Sequence, residues 1–250
     1  MRLAIISDIH ANLPALEAVL HDIAAQPGID RVYCLGDLVG YAPFPNEVIA
    51  RIRALGIPTI MGNYDDGTGF GRDECGCAYK NAVDKLLGDQ SFAWTKANTA
   101  EENKAFLREL LPEIRVEADG VRILLVHGSP RRINEYLFED RPPSSFRRLA
   151  QMADADVIAF GHTHIPYAKL VDGVLFVNVG SVGKPKDGDP RACYVLLDVA
   201  EGTVGVKYRR VAYDVAAVAE AIRQSGLPDG FAVQLERGRV GIDVSPTPSA

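Results

Sequence analysis

No apolar run in this sequence approaches the roughly 20 residues that a membrane-crossing helix needs, so no transmembrane segment is expected. The apolar stretch nearest the start, Leu3-Ala4-Ile5-Ile6, is too short for the core of a signal peptide, and no cleavage-site pattern follows it. Positive charge is scarce as well: 27 Lys and Arg stand against 33 Asp and Glu, a formal net charge of −6. Proteins that hold nucleic-acid backbones are usually basic over one face. General nucleic-acid or membrane-surface binding is therefore not expected, and a phosphate substrate would need a metal or local arginines to meet its charge. Cysteine is sparse too. Cys34 and Cys193 sit in apolar strand-like runs, where free cysteine behaves as a small hydrophobe. Cys75-Gly76-Cys77 lacks the second pair that a structural zinc site requires. The cytoplasm is the expected compartment.

What is present is an ordinary globular composition, 47% apolar and 24% charged over 250 residues. One α/β domain over residues 1–244 is expected, with a disordered tail at 245–250, Ser-Pro-Thr-Pro-Ser-Ala. Asn12 can cap a helix over 13–25 that tolerates Pro14 in its first turn. Strands are predicted at Arg31–Leu35 and Pro58–Met61, with a helix near 46–54 between them. Strand, helix, strand, helix, strand at this spacing indicates a parallel α/β sheet. Residues 66–110 read as a Gly-rich segment followed by helices near 79–87 and 100–110, a small helical insertion at one edge. Asp119-Gly120 between two apolar runs signals a hairpin. A helix at 144–153, strands at 156–160, 166–171, 174–179, 192–199 and 203–211, and a final helix at 214–225 complete the pattern.

Five apolar strands end on polar residues: Asp8 with His10, Asp37, Asn63, His127, and His162 with His164. Four of the five histidines follow these strands; only His21 lies elsewhere. In open α/β sheets, ligands collect outside the carboxyl ends of strands, so residues far apart in sequence can meet there. In an extended segment residues i and i+2 point the same way, which predicts that Asp8 and His10 converge. A lone Asp, Asn or His after a strand is more often a turn former; seven of metal-binding type at the same end are not explained that way. Seven ligands exceed the four that a zinc-like ion usually takes. They suit two ions sharing a bridging carboxylate, with Asp37 the natural bridge through its two oxygens.

In order, Asp8-Ile9-His10, Gly36-Asp37, Gly62-Asn63, His127-Gly128 and Gly161-His162-Thr163-His164 resemble the five motif blocks of the calcineurin-like metallophosphoesterases, over about residues 1–200. The resemblance implies a four-layer α/β/β/α sandwich of two mixed sheets with two metals at their edge. It also implies that one metal takes Asp8, His10 and His164, that the other takes Asn63, His127 and His162, and that Asp37 bridges. The reaction so implied is hydrolysis of a small phosphate ester by in-line attack of a metal-bridging hydroxide. Small prokaryotic phosphodiesterases are the nearest type. Mn²⁺ is the first choice of ion, with Fe, Ni or Zn as alternatives, because mixed N/O ligands discriminate weakly.

Two departures narrow this reading. Gly36-Asp37-Leu38-Val39-Gly40-Tyr41 has no arginine where the protein phosphatases and diadenosine-tetraphosphatases carry Asp-Arg-Gly. After Asn63, where many members have a proton-donating histidine, stands Tyr64; a phenol with a pKa near 10 is a weaker acid than an imidazolium. Tyr64 is nevertheless the candidate proton donor. Asp65 is either support for a metal ligand or a turn residue. Arg131 is the candidate phosphate-binding arginine, with Arg132 beside it. Tyr41, Phe44, Phe70 and Tyr79 are candidate pocket liners, and Gly180–Lys184 reads as a strand-end turn near the site, flanked by Lys186 and Arg191. The alternatives to a phosphodiesterase are a phosphomonoesterase or nucleotidase, and a non-catalytic metal-site scaffold for protein partners, as in the retromer subunit of this fold. A homo-oligomer stays open.

Overall fold

The computed structural model describes residues 1–79 and 81–239; the tail expected at 245–250 lies outside them. The elements run β1 (Arg2–Ile6), α1 (Leu13–Ala25), β2 (Arg31–Cys34), α2 (Pro45–Leu55), α3 (Asn63–Gly69), α4 (Ala82–Asn98) and α5 (Glu101–Arg108). Then follow β3 (Ile114–Ala118), β4 (Val121–Leu125), α6 (Pro143–Ala153), β5 (Val157–Phe160), β6 (Tyr167–Val171) and β7 (Val174–Asn178). The last are β8 (Ala192–Ala200), β9 (Thr203–Val211), α7 (Val215–Gln224) and α8 (Gly230–Arg237).

Strand side chains alternate between faces, and this alternation sets the layers. Leu3 and Ile5 of β1, Val195 and Leu197 of β8, Ile123 and Leu125 of β4, and Val157 and Ala159 of β5 share the core between two sheets. Ala4 and Ile6 of β1 point the other way, onto α1 and α2 through Leu16, Val19, Val48 and Ile52. Leu124, Ile158 and Phe160 likewise meet Phe146 and Leu149 of α6. Strands apolar on both faces are what a sheet covered on both sides requires. The result is helix, sheet, sheet, helix, with strand orders β2-β1-β8-β9 and β3-β4-β5-β7-β6. Both sheets are mixed: β1–β2, β4–β5 and β5–β7 are parallel and the remaining pairs antiparallel. Asn12 caps α1 by accepting from Ala15 N at 3.2 Å.

Four stretches differ from the sequence expectation. The helix expected near 79–87 is α4, which starts at Ala82 and continues to Asn98. The strand expected at 58–61 is reduced to bridges, Thr59 with Cys34 and Ile60 with Leu111. The Gly-rich stretch begins with a helix, α3, whose first turn is tied back by Asp65 accepting from Gly62 N at 3.0 Å. Its Gly67 leaves room for the ring of Phe92 on α4, which a Cβ would meet at 2.7 Å. Glycine there serves helix packing, which local propensity does not register. A further helix, α8, follows α7; Phe231, Ala232 and Leu235 pack on Val218, Ala219 and Ile222. Among the described residues no helix is long and apolar enough to cross a membrane.

Candidate metal centre

The seven candidate ligands leave the carboxyl ends of β1, β2, β4 and β5 and the start of α3. The parallel pairs β1–β2 and β4–β5 lie in different sheets, so the centre sits where the ends of both sheets meet. The pleat does not aim these side chains. Asp8, His10, Asp37, His162 and His164 all have positive φ, between 48° and 62°. Each chain end turns sharply after its strand, and Asp8 and His10 converge because both residues are left-handed. Such conformations cost energy for non-glycine residues and persist only where the surroundings hold them.

The surroundings do hold them. A turn from the far end of the chain clamps the first loop: Val182 N donates to Ser7 O at 2.9 Å, Gly183 N to Asp8 O at 3.0 Å, and Ser181 Oγ to Asp8 O at 2.8 Å. Asp65 accepts from the backbone N–H of Asp37 at 2.7 Å, Leu38 at 2.9 Å and Gly62 at 3.0 Å. Of its two readings, turn residue or support, the geometry gives support: one carboxylate fastens the Asp37 loop to the Asn63 loop.

Two groups of ligand atoms result: Asp8, His10 and His164, and Asp37, His127 and His162, the atoms of each group lying within 4.8 Å of one another. Asn63 Oδ1 adds to the second group, 3.1 Å from His127 Nε2. One oxygen of Asp37, Oδ2, lies 3.6 Å from His10 Nε2 and 3.5 Å from His127 Nε2, so it faces both groups. The other, Oδ1, accepts from Tyr64 N at 2.8 Å. Of the two Asp37 oxygens, Oδ2 is thus the one turned toward both ligand groups, and Oδ1 is turned to the backbone.

The donor chemistry fits a cation. His10, His127 and His164 point Nδ1 at the carbonyls of Val39 (2.9 Å), Leu35 (2.7 Å) and Lys184 (2.6 Å). Each therefore donates from Nδ1, which leaves an Nε2 lone pair in its neutral form. His10 Nε2 and His164 Nε2 face each other at 3.2 Å, two acceptors in contact unless a cation lies between. Asp8 Oδ1 and His162 Nε2 are buried without a protein hydrogen-bond partner. Buried groups of that kind are costly unless a ligand completes them.

Charge follows the same geometry. Burial alone would push the Asp8 carboxyl up, but His164, His127 and His10 outweigh it and hold it well below the usual range. Burial acts likewise on Asp37, and His127 and His10 hold it low. Burial lowers His10 and His162 to about 3. His127 is also penalised by burial, but the adjacent Asp37 raises it to about 9. Burial and Asp37 push Asp65 up to about 7, against the Gly62 and Leu38 N–H donors and His127.

A cavity of about 540 Å³ adjoins the centre. Thr163, between two candidate ligands, lines it, and the Tyr136 ring lies 4.1 Å from that of His162. Tyr41 and Tyr79 line it as expected, whereas Phe70 is half exposed with Arg72 over its ring, and Phe44 precedes α2. Arg131 is exposed and paired with Glu135 at 2.5 Å; Arg141, which also reaches Glu135, is the arginine on the cavity wall. Lys184 is buried, its Nζ donating to Gln234 Oε1 at 2.7 Å and lying 4.6 Å from the Tyr41 ring centre. Burial, reinforced by Lys186, holds its pKa well below 10.5. Arg191 pairs with Asp189 instead. Tyr64 is 1% exposed, packed against Tyr41 and Phe92, with burial raising its phenol well above 10. Tyr136, Phe138, Arg141 and Phe231 were not legible as cavity residues, because they come from a loop and from α8 with no motif to mark them. Cys75 and Cys77 are joined as a disulfide, and Asn63 Nδ2 donates to Cys75 O at 3.0 Å, which turns its Oδ1 to the centre.

Comparison with known proteins agrees with this picture. An uncharacterised protein of Methanocaldococcus jannaschii is 35% identical over 95% of this chain and 98% of its own. The phosphodiesterase YfcE of Escherichia coli K12 is 29% identical over 79% of this chain and 88% of its own. Among solved structures, a metallophosphoesterase from Sphaerobacter thermophilus superposes with a TM-score of 0.77 at 31% identity, covering 95% of this chain and all of the other. A sequence profile of the calcineurin-like phosphoesterase superfamily domain matches residues 1–202, the stretch that carries every candidate ligand. With its two mixed sheets, its histidines and carboxylates gathered at their carboxyl ends and that match, the chain belongs to the calcineurin-like phosphoesterase superfamily.

Proposed function

We propose that this protein is a dinuclear metal-dependent phosphodiesterase acting on a small organic phosphate ester, with Mn²⁺ the favoured ion. The observation that carries the phosphoester reading is the pair of ligand groups beside a cavity that offers space and apolar wall for an organic group on the phosphate. The diester preference is taken from the Escherichia coli relative, which is named a phosphodiesterase. Two ions held by the two ligand groups would neutralise the phosphate and activate water for in-line displacement. The chain's own part is positional. Backbone carbonyls fix the histidine tautomers, Asp65 fixes Asp37 against Asn63, and Asp37 Oδ2 is placed to serve both groups. As the ester P–O bond breaks, the proton released by the attacking water ends on the leaving oxygen.

With Mn²⁺, bis(p-nitrophenyl) phosphate is expected to exceed p-nitrophenyl phosphate in kcat/KM by at least about tenfold, roughly 1.4 kcal/mol of transition-state preference. A reversed ratio would make the protein a monoesterase. No hydrolysis with Mn²⁺, Fe²⁺, Ni²⁺ or Zn²⁺, despite bound metal, would favour the scaffold.

For Tyr64 we propose packing rather than proton donation. A buried phenol with a raised pKa, absent from the cavity wall, is badly placed to reach a leaving oxygen. Tyr64→Phe is expected to change rates less than about threefold across leaving groups of rising pKa. A loss that steepens along that series would restore Tyr64 as the donor.

A further inference from the structure

We propose that the cavity beside the metal centre binds a planar aromatic ester group of the substrate, a nucleobase or simple aryl ring, and so selects nucleoside-like or aryl phosphate esters. This rests on the phosphoesterase reading and names its substrate class. Five aromatic rings line the cavity: Tyr41, Tyr79, Tyr136, Phe138 and Phe231. They arrive from four separate parts of the chain. Two of them touch the centre itself, Tyr136 at 4.1 Å from the His162 ring and Tyr41 at 4.8 Å from the His10 ring. A phosphate at the ligand groups would therefore put its ester substituent among these rings. Tyr136 and Phe138, both on the cavity wall, have ring centres 5.9 Å apart and planes 20° from parallel. Tyr79 is pressed onto α4 where Gly88 leaves it space, since a Cβ there would meet its ring at 2.3 Å.

A volume of about 540 Å³ suits a drug-sized group and exceeds what a methyl or ethyl ester would fill. Aromatic walls of this kind could instead cage a quaternary ammonium. Two of the five rings already face a lysine, since Lys184 Nζ lies 4.6 Å from the Tyr41 ring centre and 5.3 Å from that of Phe231. A complete cage for a cation is therefore not on offer, whereas a neutral ring stacks on tyrosine and tolerates a neighbouring amine. Gln234, held by Lys184 at 2.7 Å, adds a polar group to the wall.

Calorimetric titration of the Mn²⁺-loaded protein with AMP, ribose 5-phosphate, phenyl phosphate and phosphocholine tests this, because the ligands share the phosphate and differ in the attached group. AMP is expected to bind at least tenfold tighter than ribose 5-phosphate, and phenyl phosphate tighter than phosphocholine. Tyr79→Leu and Phe138→Leu, each shown to be folded by its thermal transition, are expected to narrow the AMP to ribose 5-phosphate ratio below about threefold and to leave the ribose 5-phosphate Kd unchanged. Equal Kd values for AMP and ribose 5-phosphate in the wild type would overturn the inference. So would a ratio undiminished in both variants, or phosphocholine binding tighter than AMP. The phosphodiesterase reading fails separately, through absent diester hydrolysis, while these binding ratios still decide what the cavity holds. A phenyl phosphate affinity equal to that of AMP supports the inference and assigns recognition to the ring alone.

Discussion

Asp37→Asn is expected to lower kcat/KM on a phosphodiester by about 10³-fold or more and, on the dinuclear reading proposed above, to reduce the bound metal from two ions per chain to one or none. The reason is positional. Only Oδ2 of Asp37 faces both histidine groups, at 3.6 Å from His10 and 3.5 Å from His127. Asparagine keeps the volume and can still accept from Tyr64 N through Oδ1, so the fold should persist. What it loses is the negative charge that two cations would share. Removing a partner that merely supports a ligand typically costs about 10–100-fold; a ligand common to both ions should cost more. Metal content measured on the purified variant, beside its kinetics, checks the expectation. Activity within tenfold of wild type, with two ions still bound, would show that Asp37 does not bridge.

Gly183→Ala is expected to destabilise the protein by about 3 kcal/mol or more, beyond the ordinary range of overpacking. A Cβ on Gly183 would fall 1.7 Å from the carbonyl oxygen of Ile9, between Asp8 and His10. That neighbour is backbone and cannot swing aside. The same turn holds the first loop through Gly183 N to Asp8 O at 3.0 Å, so relief of the clash must also move two candidate ligands. At roughly 2–4 °C per kcal/mol for a chain of this size, the thermal midpoint should fall by about 6–12 °C. Gly28→Ala is the control. It pays for positive φ but has nothing within 4 Å of its Cβ, so it should cost only about 1 kcal/mol. Equal losses in the two variants would mean that close approach at Gly183 is not what holds the loop.

The strands that reach the centre were legible because they are apolar runs ending on Asp, Asn or His, and that coincidence repeats in order along the chain. The helices on the outer faces were legible from their 3.6-residue period, as in α1, whose bounds coincide with those expected. Elements whose residues answer to tertiary neighbours were not. The α3 glycines fit the packing of α4 and α5, and α8 depends on its contact with α7. Arg131 and Arg141 illustrate the same limit. Sequence proximity to His127 favoured Arg131, yet side-chain direction gives it to Glu135 at the surface and leaves Arg141 on the cavity wall.

By itself the sequence determined the α/β character and the identity of the seven candidate ligands, because those depend on residue type and on periodicities written locally along the chain; the family and the four layers came through the resemblance of the five motif blocks. Only the tertiary structure decided how the candidate ligands aim, which Asp37 oxygen faces both histidine groups, what Asp65 fastens and which rings wall the cavity. Those are relations between segments far apart in the chain, such as Ser181 on Asp8 and Phe231 on Tyr41. They arise from left-handed turns and close backbone approach, and no local pattern of side chains encodes such contacts.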